Sequence, residues 1–135
     1  MMKRLSSRKQ PAKKRGLGEE DLMHKSFGRI MRQYDGYGKL KCLEWTYDAS
    51  GEKRDGITGS LLKAKGLNPG QSDYRFKYLK NNIAHYLYLE FKTKTGKQSD
   101  NQKRFEKTCI AENEKYEIAR SVEEGLNALS ECGLI

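Results

Sequence analysis

Residues 73–93, DYRFKYLKNNIAHYLYLEFKT, decide how this chain is read. YRFKYL at 74–79 and HYLYLEFKT at 85–93 alternate bulky apolar with polar residues, the period of a strand that lays one face on a core. The polar KNN between them supplies a turn, so the pair predicts a β-hairpin. Asp73 opens the first strand, and Glu90 and Lys92 lie two apart near the end of the second. Residues two apart on a strand project from one face, with Phe91 on the other, so a carboxylate and an ammonium stand together. Antiparallel pairing brings Asp73 beside Glu90. Two acids at one sheet end need a counter-charge; Lys92 supplies part of it, and a divalent cation would supply the rest. Glu90 also interrupts the otherwise apolar LYLEF, and burying an acid needs a reason.

Outward from the hairpin the chain alternates element types. On its N-terminal side, LNPGQSD is a turn cluster, preceded by a short helix over ITGSLLKAKG at 57–66 and a charged, Gly-rich loop, DASGEKRDG. LKCLEWTY at 40–47 reads as a strand. Upstream of it, Leu22, Met23, Phe27, Ile30 and Met31 recur at three- and four-residue spacings, one face of a helix from Leu17 to about Tyr34. Glu19, Glu20 and Asp21 occupy its first turn, where acids suit the helix dipole. On the C-terminal side, TGKQSD makes a turn and Ser99 or Asp100 caps a helix over 100–113. KYEIA at 115–119 is a last strand, and Ser121 with Glu124 forms a capping box for a helix over 122–132. The order α-β-α-β-β-α-β-α predicts an α/β domain with a mixed central sheet of about four strands flanked by helices.

The 135 residues leave room for one such domain. Charge is unevenly placed: residues 1–15 carry seven Lys and Arg and no acid, while the whole chain has a formal charge of +9. A basic tail over 1–16, expected to be disordered, therefore precedes a nearly neutral body over 17–135. No run of 18 apolar residues exists, which excludes a transmembrane helix, and no apolar stretch follows the N-terminal charges as a secretory signal requires. Cys42, Cys109 and Cys132 form no C-x-x-C pair, which argues against a disulfide framework or a zinc site and for thiols in a reducing, cytoplasmic setting.

Carboxylates and a lysine at one sheet end are the inventory of metal-assisted phosphodiester hydrolysis, in which a hard cation polarises phosphate and acidifies water. Asp-x16-Glu-x-Lys alone is a weak signal. The ordered set of motifs around it is more specific. Glu20-Asp-Leu-Met-His24, Ser50-Gly-Glu-Lys-Arg54, Lys63-Ala-Lys-Gly66-Leu-Asn-Pro-Gly70-Gln-Ser-Asp73, Leu89-Glu90-Phe-Lys92, Ser99-Asp-Asn-Gln102 and Ala119-Arg-Ser-Val-Glu-Glu124 follow one another in the spacing of the VRR-NUC family. The chain from about Glu20 to Ile135 resembles these virus-type replication-repair nucleases of the PD-(D/E)XK superfamily.

The resemblance implies a restriction-endonuclease-like core and a metal-dependent DNA endonuclease. Asp73, Glu90 and the backbone carbonyl of Phe91 would hold Mg2+ or Mn2+. Lys92 would be the catalytic lysine, Glu20 (or its neighbour Glu19) would complete the acidic set, and Gln102 would bind near Lys92 or the substrate. One or two ions are both compatible with it. It further implies a homodimer cutting branched DNA such as Holliday junctions, in the cytoplasm of a cell or of a virus's host. The sequence departs from the family pattern in three ways: Ser72 replaces the proline before the aspartate, His24 replaces a glutamine, and Asp48 and Ser50 stand where an asparagine is usual. Lys53, Arg54, Lys94, Lys97, Lys103 and Arg104 flank the site and, with the tail, suit a phosphate backbone.

Overall fold

The computed structural model describes residues 18–48, 61, 65 and 71–135. The basic tail, most of the helix expected over 57–66, and Ser50, Lys53 and Arg54 lie outside the described residues. Four strands and three helices are described: α1 (Glu19–Gly36), β1 (Glu44–Tyr47), β2 (Tyr74–Lys80), β3 (Ile83–Phe91), α2 (Asp100–Ala111), β4 (Lys115–Ala119) and α3 (Val122–Glu131). They form one mixed sheet in the order β1-β2-β3-β4, antiparallel through β3, with β4 parallel to β3. The mixed α/β architecture expected from the alternation of elements is the one observed.

The hairpin is tighter than the strand pattern alone suggests. Lys80 pairs with Ile83 across a two-residue turn, and Asn81 and Asn82 take φ of 52° and 63°. Asparagine tolerates this left-handed region, and two such residues in succession match the right-handed twist of the strands they join. The same register pairs Tyr74 with Leu89, so the next step along the ladder sets Asp73 against Glu90.

Both faces of the hairpin are covered. On one, Phe76, Leu87, Leu89 and Phe91 are fully buried with Phe27 and Met31 of α1 and Leu129 of α3. Phe27 lies 4.9 Å, ring to ring, from both Tyr74 and Phe91; burying one such ring is worth about 1.5–3 kcal/mol. Gly125 lets α3 approach, because a Cβ there would stand 2.8 Å from the Phe91 ring. On the opposite face, Tyr88 meets Phe105 of α2 edge-on at 5.0 Å, and Phe105 in turn meets Tyr116 of β4. Glu90 belongs to this second face.

Several boundaries differ from the expected ones for identifiable reasons. Of 40–47 only Glu44–Tyr47 pairs as strand; Leu40 is buried and the Lys41 N–H donates to the Leu134 carbonyl, tying the segment to the C-terminus instead. Leu22 is exposed, so the core-facing stripe of α1 runs through Phe27 and Met31 without it. The Ser121 hydroxyl caps α3, but the Glu124 carboxylate accepts from the Arg120 N–H, so the expected reciprocal box does not close there. It closes instead at α2, between Ser99 and Gln102.

Candidate active site

Asp73 and Glu90 are both buried, 9% and 1% exposed, at the end of the sheet where α1 begins. Asp73 is held by the strand it faces: its Oδ2 accepts from the Phe91 N–H at 2.7 Å. Before it, the buried Ser72 hydroxyl donates to the Tyr74 carbonyl at 3.0 Å. That bond stiffens the turn at the position where the family pattern has proline. The backbone of Asp73 is also fixed, its carbonyl accepting from Asp48 N–H at 2.7 Å.

Glu90 is surrounded by donors. The Gln102 side-chain amide donates to Oε1, the Tyr116 hydroxyl donates to Oε2, and the Lys92 ammonium lies 3.6 Å from Oε1. The amide orientation of Gln102 follows from the α2 cap: its Oε1 accepts from the Ser99 N–H at 2.8 Å, which leaves the NH2 for Glu90. Tyr116 is itself contacted by the Gln98 amide at 3.3 Å. Gln102 therefore touches a carboxylate of the site, within reach of Lys92. Tyr116 was not anticipated; its position on β4, whose register puts Ile118 beside Glu90, has no short motif to mark it.

Of the two first-turn acids, Glu20 is the one placed beside Asp73. Positions 20, 24, 27 and 31 recur on one face of α1, and Phe27 and Met31 are its buried residues, so Glu20 and His24 continue the stripe over the end of the sheet. Glu19 is exposed. Glu20 Oε1 lies 3.7 Å from His24 Nε2, which lies 3.6 Å from Asp73 Oδ2. These three side chains offer ligand atoms all within 4.8 Å of one another, close enough to converge on one cation after small side-chain shifts. The carboxylate oxygens suit Mg2+ or Mn2+, and the imidazole adds a nitrogen. Sequence reading noted His24 as a substitution but did not count it as part of the site. The i,i+4 spacing from Glu20 was the available signal.

The electrostatics of the two carboxylates differ in kind. Burial pushes Asp73 up to about 7; the neighbouring Glu90 and Glu20 charges push the same way, and the Phe91 N–H and Lys92 oppose them. Burial also raises Glu90, with Glu20 adding to it, against the Tyr116 hydrogen bond and Lys92. Tyr116 is raised in turn by burial and by its bond to Glu90, so it remains a neutral donor. The three cysteines are free and lie away from these groups; burial raises each thiol.

Comparison of the chain with models of known protein families, with characterised proteins and with solved structures finds no match in any of the three.

Proposed function

We propose that the chain is a metal-dependent nuclease of PD-(D/E)XK type, hydrolysing phosphodiester bonds of DNA. The observation that carries this reading is the buried Asp73–Glu90 pair on neighbouring strands, with Lys92 beside it and Glu20 closing over it from α1. Burying two carboxylates beside a third costs free energy, and a cation bound between them would offset it. The strand order, antiparallel through β3 with a parallel β4, is compatible with the core that the VRR-NUC resemblance implies.

Mg2+ or Mn2+ held there would polarise a phosphate and acidify water. Asp73, whose charge is disfavoured by its burial, would supply an oxygen ligand. Glu90, gripped by Gln102 and Tyr116, holds Lys92 in place, and the Lys92 ammonium stabilises negative charge developing on the phosphoryl oxygens. Glu20, 45% exposed at its side chain, stands on the solvent side where substrate would arrive.

DNA as the substrate is supported by charge. Besides the seven basic residues of the tail, Lys25, Arg29 and Arg32 form an exposed stripe along α1 that starts beside His24 and lines a groove of about 520 Å³. The stripe spans about 10 Å of helix, the rise of about three nucleotides in one strand. The Arg32 guanidinium already lies over the Trp45 ring at 5.9 Å, which reduces the entropy lost on ordering it. Within this reading the chain acts as a homodimer on four-way junctions, where twofold-related sites match a symmetric substrate.

The test is cleavage of a labelled four-way junction, a linear duplex and a single strand with Mg2+, Mn2+ or EDTA, by wild type and Lys92→Ala. Paired cuts in the junction, abolished by EDTA and reduced at least a thousandfold in the variant, are expected. Equal cutting of all three substrates would remove the junction preference and keep the nuclease. Binding that ignores the metal, with no cleavage under any condition, would replace it by a binding module of the same fold. The double variant Arg29→Ala/Arg32→Ala is expected to weaken binding to all sequences alike and to lower the salt slope by about 2.

A further inference from the structure

We infer that His24 is an inner-sphere ligand of the cation in this site, so that the chain has a mixed nitrogen–oxygen set, Glu20–His24–Asp73, and favours Mn2+ or Co2+ over Mg2+. The inference rests on the metal part of the reading above and adds the identity of the ligands. Its first support is distance. His24 Nε2 stands 3.6 Å from Asp73 Oδ2 and 3.7 Å from Glu20 Oε1, both longer than the roughly 2.7–3.2 Å of an N–H···O hydrogen bond. Two ligand atoms bonded to one ion at about 2.0–2.2 Å lie about 3.0–3.6 Å apart for angles between octahedral and tetrahedral. Small side-chain shifts bring Nε2 and the two carboxylates onto one ion.

The second support is how the imidazole is held. Its ring packs against the rings of Tyr47, Tyr74 and Phe91 at 5.4, 5.6 and 5.3 Å. The backbone beneath it is pinned as well, the His24 carbonyl accepting from the Tyr74 hydroxyl at 3.2 Å. The aromatic walls and the helix anchor together set Nε2 toward the two carboxylates. The third support is the state of Glu90. Both of its oxygens accept from protein side chains, Gln102 and Tyr116, so it orients and charges the site from the far side while His24 stands on the near side of Asp73. A nitrogen ligand matters for metal choice. Mg2+ demands oxygen in a near-ideal octahedron, whereas imidazole suits the later first-row ions.

The experiment is electron spin echo envelope modulation on the full chain loaded with substoichiometric Mn2+. The chain has two histidines; His85 lies at the other end of the hairpin, paired with Tyr78 and 3.6 Å from Glu114. In His85→Gln, imidazole 14N coupling to Mn2+ is expected to persist, and in His24→Gln to vanish. Calorimetry should show Mn2+ binding at least tenfold tighter than Mg2+ in wild type, with the gap narrowing severalfold in His24→Gln. An all-oxygen Mn2+ signal in folded His85→Gln would overturn the inference without needing the His24 variant to fold. That result beside metal-dependent cleavage would leave the nuclease standing; 14N coupling without cleavage would do the reverse.

Discussion

Among the described residues two carboxylates are buried, Asp73 and Glu90, opposite one another across β2 and β3, and they are solvated in opposite ways. Glu90 faces α2 and β4, and the protein answers it with an amide, a phenol and an ammonium. Asp73 faces α1; it receives one backbone N–H from Phe91 and otherwise looks toward His24 and Glu20. A carboxylate whose donors are built into the fold is a fixture. One that is buried beside another acid, with its charge set against it by burial, is arranged for a partner the polypeptide does not supply. The asymmetry separates structural from receiving functions within one site, and each prediction tests one side of it.

The largest effect is expected at Asp73 itself. Its carboxyl is pushed up to about 7 in the fold, against about 3.9 in an unfolded chain. Between those values the native state holds more protons than the unfolded state, so stability of the metal-free protein falls as pH rises through that window and is flat above it. Three pH units correspond to about 4 kcal/mol. Asp73→Asn is expected to remove the steepest part of this decline, leaving the smaller slope from Glu90, to stabilise the metal-free protein at pH 7, and to abolish Mn2+ binding. Urea melts in EDTA across pH 4–8 read it directly. An unchanged pH profile in the variant would contradict the assignment of Asp73 as the disfavoured charge.

Next in size is Tyr116→Phe, which removes the donor to Glu90 Oε2 and leaves a buried carboxylate under-satisfied. A loss of about 1–3 kcal/mol is expected, greater at pH 7 than at pH 4, because the lost hydrogen bond favours the ionised form. A loss that is equal at both pH values would mean that the hydroxyl acts through its contact with the Gln98 amide and not through Glu90.

What could be read from the residues follows the same division. The hairpin and the Asp73–Glu90 juxtaposition were legible because period-2 alternation and antiparallel pairing of neighbouring strands are local properties; the two-residue turn that fixes the register was not. The strand 115–119 and the helix after it were legible for the same reason. Tyr116 was not: it reaches Glu90 across a parallel pair separated by 26 residues, and no spacing rule links such positions. His24 was visible as a residue but not as a ligand, because its role depends on where α1 docks, which Phe27 and Tyr74 decide through tertiary packing. Leu22 was misjudged for a related reason. A helical stripe about 100° wide admits several apolar positions, and only the docked partner selects among them. Glu19 and Glu20 were indistinguishable by composition and are separated by the buried stripe through 27 and 31.

Gly125→Ala probes the floor beneath the Asp73 half. The new methyl would meet the Phe91 ring at 2.8 Å and the Phe27 ring at 3.2 Å. Overpacking costs about 1–3 kcal/mol, opposed by the roughly 0.5–1 kcal/mol that alanine gains over glycine inside a helix. A net loss of about 1–2 kcal/mol in denaturant melts is expected. Because Phe91 N–H holds Asp73, Mn2+ affinity should fall with it, while the Tyr116–Glu90 contact on the opposite face is untouched.

The smallest effect is expected at Ser72, and it sharpens the comparison most finely. Its hydroxyl bridges to the Tyr74 carbonyl across Asp73, so it restrains the backbone that carries the receiving carboxylate without touching the carboxylate. Ser72→Ala removes that bond, a cost of about 1 kcal/mol. Because the restraint is local, the same variant should weaken Mn2+ binding severalfold while leaving the pH 4 to pH 7 slope of stability as it is in wild type. A change in that slope would mean that Ser72 alters the burial of Asp73 rather than the stiffness of its turn, and the hydroxyl would then belong to the electrostatics of the site and not to its scaffold.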